Sequence, residues 1–157
     1  MNKHLERYKK ISDNIIKKSF ADLKGKKLII IERKFKYFGK ALNFGFFNVI
    51  MINPVLRTFS DKELKGLFAH ELSHIQRHKD RSFFQKISFI INYLLSKKSR
   101  REEEREADKL TIKKGYGNEL YALMKKAYRV SKWHEKRLKS THLSLKEIKL
   151  YTKRNKT

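Results

Sequence analysis

His70-Glu71-Leu72-Ser73-His74 begins ten positions after Ser60, and Ser60-Asp61-Lys62-Glu63 has the Ser-x-x-Glu form that opens helices. In that form the serine side chain accepts the backbone N–H of the third residue on, and the glutamate reaches back to the serine N–H. A helix is therefore expected over residues 60–79. Residues four apart on a helix stand one above the other, so His70 and His74 place two imidazoles on one face. Two rings held this way can share one cation, but they cannot complete its shell. The chain must therefore fold so that a second element supplies a further ligand against this face.

The ligand chemistry is restricted. The sequence has no Cys, so disulfide scaffolds, thiolate metal sites and cysteine nucleophiles are excluded. His and carboxylate ligands suit Zn2+, one per chain, with three protein ligands in a catalytic site. Glu71, beside His70, can take a proton from a zinc-activated water and pass it to a leaving amine. Three residues compete for the third ligand position. His78 continues the spacing but lies about 12 Å along the helix from His70. Asp80 could return to the metal only through a turn at Arg77, and a left-handed arginine costs roughly 1 kcal/mol. Glu104, in the helical stretch Glu104-Arg105-Glu106-Ala107-Asp108, is favoured. Asp108 shares its face one turn on and is placed to orient His70 from behind the ligands. Ala107 between them lets two helices approach. Glu102, Glu103 and Glu106 read as the solvated side of that helix.

Composition limits the partners. The chain has 157 residues with 40 Lys and Arg against 16 Asp and Glu, a formal charge of +24. Hydrophobic residues make up 39%, enough for a core and too many for a disordered polycation. The apolar runs Phe44 to Leu56 and Phe83 to Leu95 are 13 residues each, short of the roughly 20 that cross a bilayer. Residues 1–18 carry no apolar leader. A soluble, cytoplasmic protein without a membrane span is expected. Its charge should give only weak binding to nucleic acid, with no specific sequence.

One α+β domain is expected over residues 1–157, with about three strands packed on several helices. An N-terminal helix covers 1–24, a sheet 27–56, the histidine helix 60–79, the glutamate helix 100–114 and a basic C-terminal segment 140–157. Strands are expected at Leu28–Ile31, Lys34–Phe38 and Phe46–Ile52, and a helix at Asn118–Leu138. Helical spacing puts Phe83, Ile87, Ile90, Ile91 and Leu94 on one side of an amphipathic helix. Trp133 and the aromatics of residues 83–95 read as core, and His4, His78 and His134 as surface.

The pairing of His70–His74 with Glu104-x-x-Ala107-Asp108 resembles the gluzincin metallopeptidases of the HtpX, CaaX-prenyl-protease and BlaR types. Those proteins are integral to membranes, and the chain is most similar to minigluzincins, the small soluble forms of their catalytic core. The resemblance implies a zinc metallopeptidase acting on peptides or unfolded proteins, made in a latent form. It also implies that Asn43, Phe44 and Gly45 form the edge strand that binds substrate. Thr141-His142-Leu143 is similar to a family Thr-His-Pro segment, which makes His142 a catalytic donor to the developing oxyanion. Tyr116 and Tyr151 are alternatives for that role. The basic segment 140–157 is the expected occupant of the cleft, in its own chain or across a homodimer. If Leu143, Leu145, Ile148 and Leu150 instead complete the core, the segment is structural. The rival functions are a basic nucleic-acid-binding protein and a non-catalytic zinc protein.

Overall fold

The computed structural model describes residues 3–155, apart from the side chains of residues 83, 86, 87, 90 and 94. It has the expected α+β architecture. Helix α1 (Lys3–Ser19) buries Tyr8, Ile11 and Ile15. The chain then turns through Gly25, at φ +81°, a value that glycine adopts without steric cost. Strands β1 (Lys27–Glu32), β2 (Gly39–Asn43) and β3 (Phe47–Ile52) form one sheet in the order β1-β3-β2. β1 runs parallel to β3, with Ile29 opposite Val49. β2 is antiparallel to β3, with Ala41 opposite Ile50. β2 is thus an edge strand.

Helix α2 (Asp61–His78) carries both halves of the expected capping box. Ser60 N–H donates to Glu63 Oε2 at 2.7 Å, and Glu63 N–H to Ser60 Oγ at 3.3 Å. The helix is buried along much of its length through Leu64, Phe68, Leu72 and Ile75. It is followed by α3 (Phe83–Leu95), α4 (Lys97–Thr111), α5 (Gly117–Ala127), α6 (Lys132–Thr141) and α7 (Leu145–Arg154). α5 lies close against α2. A Cβ on Gly66 would stand 2.4 Å from the Glu119 carbonyl oxygen, so only glycine permits this approach. Of the apolar side expected on α3, Phe83, Ile87, Ile90 and Leu94 lie outside the described side chains, and Ile91 is half-exposed.

Four expectations are corrected. Residues 34–38 are not a strand, because Asn53 holds them in a loop. Its side-chain amide donates to the Phe35 carbonyl, and its backbone N–H to the Phe38 carbonyl at 2.9 Å. Phe38 then packs on Phe59 in the core. The long helix over 118–138 is two helices. Ser131 accepts the His134 N–H at 3.2 Å and caps α6 afresh. The C-terminal segment completes the core, and of its residues only His142 lines this chain's own cleft. Leu143 and Ile148 are fully buried, and α7 has its own capping box between Ser144 and Glu147. Trp133, expected in the core, is 47% exposed.

Candidate metal centre

α4 packs against α2, where the hydroxyls of Ser73 and Thr111 are 3.0 Å apart. Ala107, fully buried, adds only a methyl group between the flanking acids. At this contact His70 Nε2 and His74 Nε2 are 3.1 Å apart. Glu104 Oε2 is 3.2 Å from the first and 3.3 Å from the second. Asp80 is exposed in the turn after α2.

These three donors suit a metal. Ligand atoms about 2.0–2.1 Å from a tetrahedral zinc stand about 3.3 Å from one another, close to the triangle found. Lone pairs of two imidazoles and a carboxylate converge there with little water, which is unfavourable unless a cation or protons sit among them. A fourth donor is near: His142 Nε2 is 3.6 Å from the same Glu104 oxygen. His70, Glu104 and His142 together are a group able to hold a metal ion.

Carboxylates stand behind the rings, which fixes ring orientation and tautomer. Asp108, completely buried, is 2.9 Å from His70 Nδ1 and 3.2 Å from His142 Nδ1. It also accepts the Leu143 N–H at 2.9 Å. The His70 contact is a charge contact whose hydrogen-bond alignment is not met.

The sequence reading missed what lies behind His74. Glu103, read as solvated, is buried, and its Oε1 is 3.0 Å from His74 Nδ1 and 2.8 Å from His78 Nε2. Arg77 donates to its other oxygen at 3.0 Å. His74, His78 and Glu103 are likewise a group able to hold a metal ion, but Arg77 already pairs its fixed positive charge with Glu103 at 3.0 Å, which disfavours a second cation there. His78, expected at the surface, is mostly buried and packs on Phe89. The signal for Glu103 was present: Glu103, Glu104, Ala107, Asp108 and Thr111 share one helical face. Tyr93 was also missed, because helix 83–95 reads as plain core. Its hydroxyl donates to Glu104 Oε1 at 2.5 Å. Tyr116 and Tyr151 do not line this cleft, and Tyr116 points its hydroxyl to Ser19 instead, at 3.4 Å.

Glu71 is buried under β2. A Cβ on Gly39 would stand 2.4 Å from Glu71 Oε1, so glycine lets the strand backbone lie directly over this carboxylate. No donor bonds that carboxylate among the described residues. Burial raises its pKa, and the neighbouring histidines partly offset this. The cleft encloses about 260 Å³ between β2 residues 39–42 and α2, α3, α5 and α6. Asn43, Phe44 and Gly45 lie outside that lining. Asn43 ends β2 and bonds Asn48 at 2.7 Å. Phe44 and Gly45, at φ +88°, form the hairpin turn. The strand stretch beside the site is Gly39–Leu42.

Burial by itself depresses both histidines. For His70, Asp108 and Glu104 reverse this and hold its pKa well above the ordinary value. For His74, Glu103 and Glu104 raise it from 6.5 to about 9. The metal-free cluster therefore keeps protons at neutral pH that a cation must displace. Zinc binding at pH 7 is expected to release protons, and affinity to rise with pH up to about 9. The linkage for metal-free folding has the opposite sign. His74 has its folded pKa above the unfolded one, so its stabilisation is complete below pH 6.5 and lost as pH rises through about 9. Calorimetry in buffers of different ionisation enthalpy counts the released protons. An affinity that stays flat from pH 6.5 to 9 contradicts this.

The chain matches no family model, no curated protein and no solved structure. Among the described residues, no helix is long and apolar enough to cross a membrane.

Proposed function

We propose that the chain is a zinc-dependent endopeptidase. The observation that carries this reading is the triangle of His70, His74 and Glu104 donors, 3.1–3.3 Å on a side, with the unbonded carboxylate of Glu71 in the same cleft. A zinc ion held by those three residues supplies Lewis-acid polarisation of a peptide carbonyl and lowers the pKa of water. The residues of the chain divide the rest. The Glu71 carboxylate takes the proton of the attacking water and returns it to the leaving nitrogen. Its raised pKa suits both halves of that exchange. Asp108 and Glu103 hold the two imidazoles in register. The edge of β2 facing the cleft offers its backbone N–H and C=O groups to an extended peptide. His142, anchored by Asp108, presents Nε2 toward Glu104 and is placed to donate to the oxyanion.

A second reading has one specific observation in its favour. If His142 Nε2 became a fourth ligand, the shell would be closed, as in structural zinc sites. Activity separates the two. Zinc-loaded protein is expected to cleave an unfolded chain such as reduced casein. A chelator should abolish cleavage, and stoichiometric zinc should restore it. Zinc-loaded, folded protein that cleaves no unfolded chain favours the closed site.

A further inference from the structure

Arg137, on α6, lines the same cleft as His70, Glu71 and Glu104. It is half-buried. Four other arginines are paired with acids: Arg7 with Asp61, Arg57 with Glu32, Arg77 with Glu103 and Arg105 with Glu147. Arg137 forms no ion pair among the described residues. Aromatic faces hold it instead, with the guanidinium carbon 3.9 Å from the Tyr37 ring centroid and 5.8 Å from that of Trp133. A guanidinium stacked by its face keeps its N–H edge available, and that edge is shaped to bind a carboxylate with two parallel hydrogen bonds.

The surroundings define what this edge meets. Much of the remaining wall is apolar, including Phe38, Leu67, Leu123 and Leu138. Two of the three acids lining the cleft are engaged elsewhere, Glu104 with the imidazoles and Tyr93 and Glu103 with Arg77 and two histidines, and the third, Glu71, lies under β2 without an ion pair to Arg137. An unpaired cation in a concave, largely apolar wall is costly unless an incoming group pairs with it.

We propose that Arg137 is the anion receptor of the cleft, and that the favoured substrates are peptides with apolar residues and one carboxylate close to the bond cut. The carboxylate comes from the peptide C-terminus or from an Asp or Glu side chain. This rests on the peptidase reading for the word substrate, but the recognition itself is testable by binding alone.

The test uses the full chain, loaded with zinc and carrying Glu71→Gln so that bound peptide is not turned over. The probe is a dye-labelled hexapeptide rich in Leu and Phe. It is made with a C-terminal acid or amide, and with an internal Glu or Gln. Fluorescence anisotropy gives the four affinities. One carboxylate position is expected to bind about tenfold or more tightly than its neutral counterpart, the size of one charge-assisted pair. Which pair shows the gap identifies the source of the carboxylate. Adding Arg137→Gln should bring that gap to within about twofold, and Arg137→Lys should keep part of it, because charge survives without the fork. Melting curves of the variants establish that they are folded.

Equal affinities in both pairs, or no binding of any probe, overturn the proposal. So does a gap that persists in a folded Arg137→Gln protein. If Arg137 served the oxyanion instead, its loss would slow wild-type cleavage of acid and neutral peptides equally and leave binding unchanged. The failures are distinct. A carboxylate preference in a protein whose wild type cleaves nothing removes the peptidase reading and keeps the receptor. Cleavage that ignores carboxylates removes only the receptor.

Discussion

Glu71→Gln is expected to bind zinc as the wild type does and to lose peptide hydrolysis by roughly 10³-fold or more. The first half follows from geometry, since Glu71 is not among the three converging donors. The second follows from chemistry. Glutamine is nearly the same size and fits under β2, but it cannot accept and return a proton, and a positioned acid–base group is worth roughly 10²–10⁴-fold. The isosteric change matters because Gly39 leaves no free space above the carboxylate. A larger residue would push β2 aside and confuse lost chemistry with lost substrate binding. Zinc content, melting temperature and kcat/KM measured together separate these effects. Wild-type protein that is no faster than this variant contradicts the role given to Glu71.

Glu104→Ala should abolish tight zinc binding, whereas Asp80→Ala should leave it within about twofold of wild type. Losing a supporting partner costs roughly 10–100-fold in metal affinity, and losing one of three ligands should exceed that. Glu104 also neutralises histidines in a buried site. Its own pKa is held well below the ordinary value, because the charges and hydrogen bonds of His142, His70 and His74 overcome burial. Removing it leaves buried imidazoles that shed their protons rather than stay charged. The metal-free variant should therefore fold, and Glu104→Gln provides a second variant that keeps the volume. Retained zinc in Glu104→Ala with loss in Asp80→Ala would reverse the assignment.

Some of this was legible in the sequence, and the physical reasons are specific. The Ser60–Glu63 box and the spacing of His70 and His74 fix the helix start and the shared face, because both are local and periodic. Glu104 and Asp108 were legible as an i, i+4 pair. Glu103 was read as solvated although it shares the face of Glu104, Ala107 and Thr111, because a run of acids draws attention away from that spacing until the packing partner is known. The second strand was expected at Lys34–Phe38 but lies five residues on, at Gly39–Asn43, since Lys34–Phe38 alternates as a strand does and only the long-range hold of Asn53 makes it a loop. The break near Ser131 carries no Gly or Pro, and its cap is recognisable only once the helix beyond it is known. The segment 140–157, expected to occupy the cleft, is anchored by two buried side chains, Leu143 and Ile148. Sparse apolar content over a segment says little when the few apolar residues fall on one face.

The proposed chemistry depends on where the metal sits. The most direct measurement is anomalous diffraction at the zinc edge from crystals of the full chain grown with equimolar zinc. One peak per chain is expected, within bonding distance of His70 Nε2, His74 Nε2 and a Glu104 carboxylate oxygen. A single peak bound elsewhere, or a folded protein with no peak at this cluster, would contradict it.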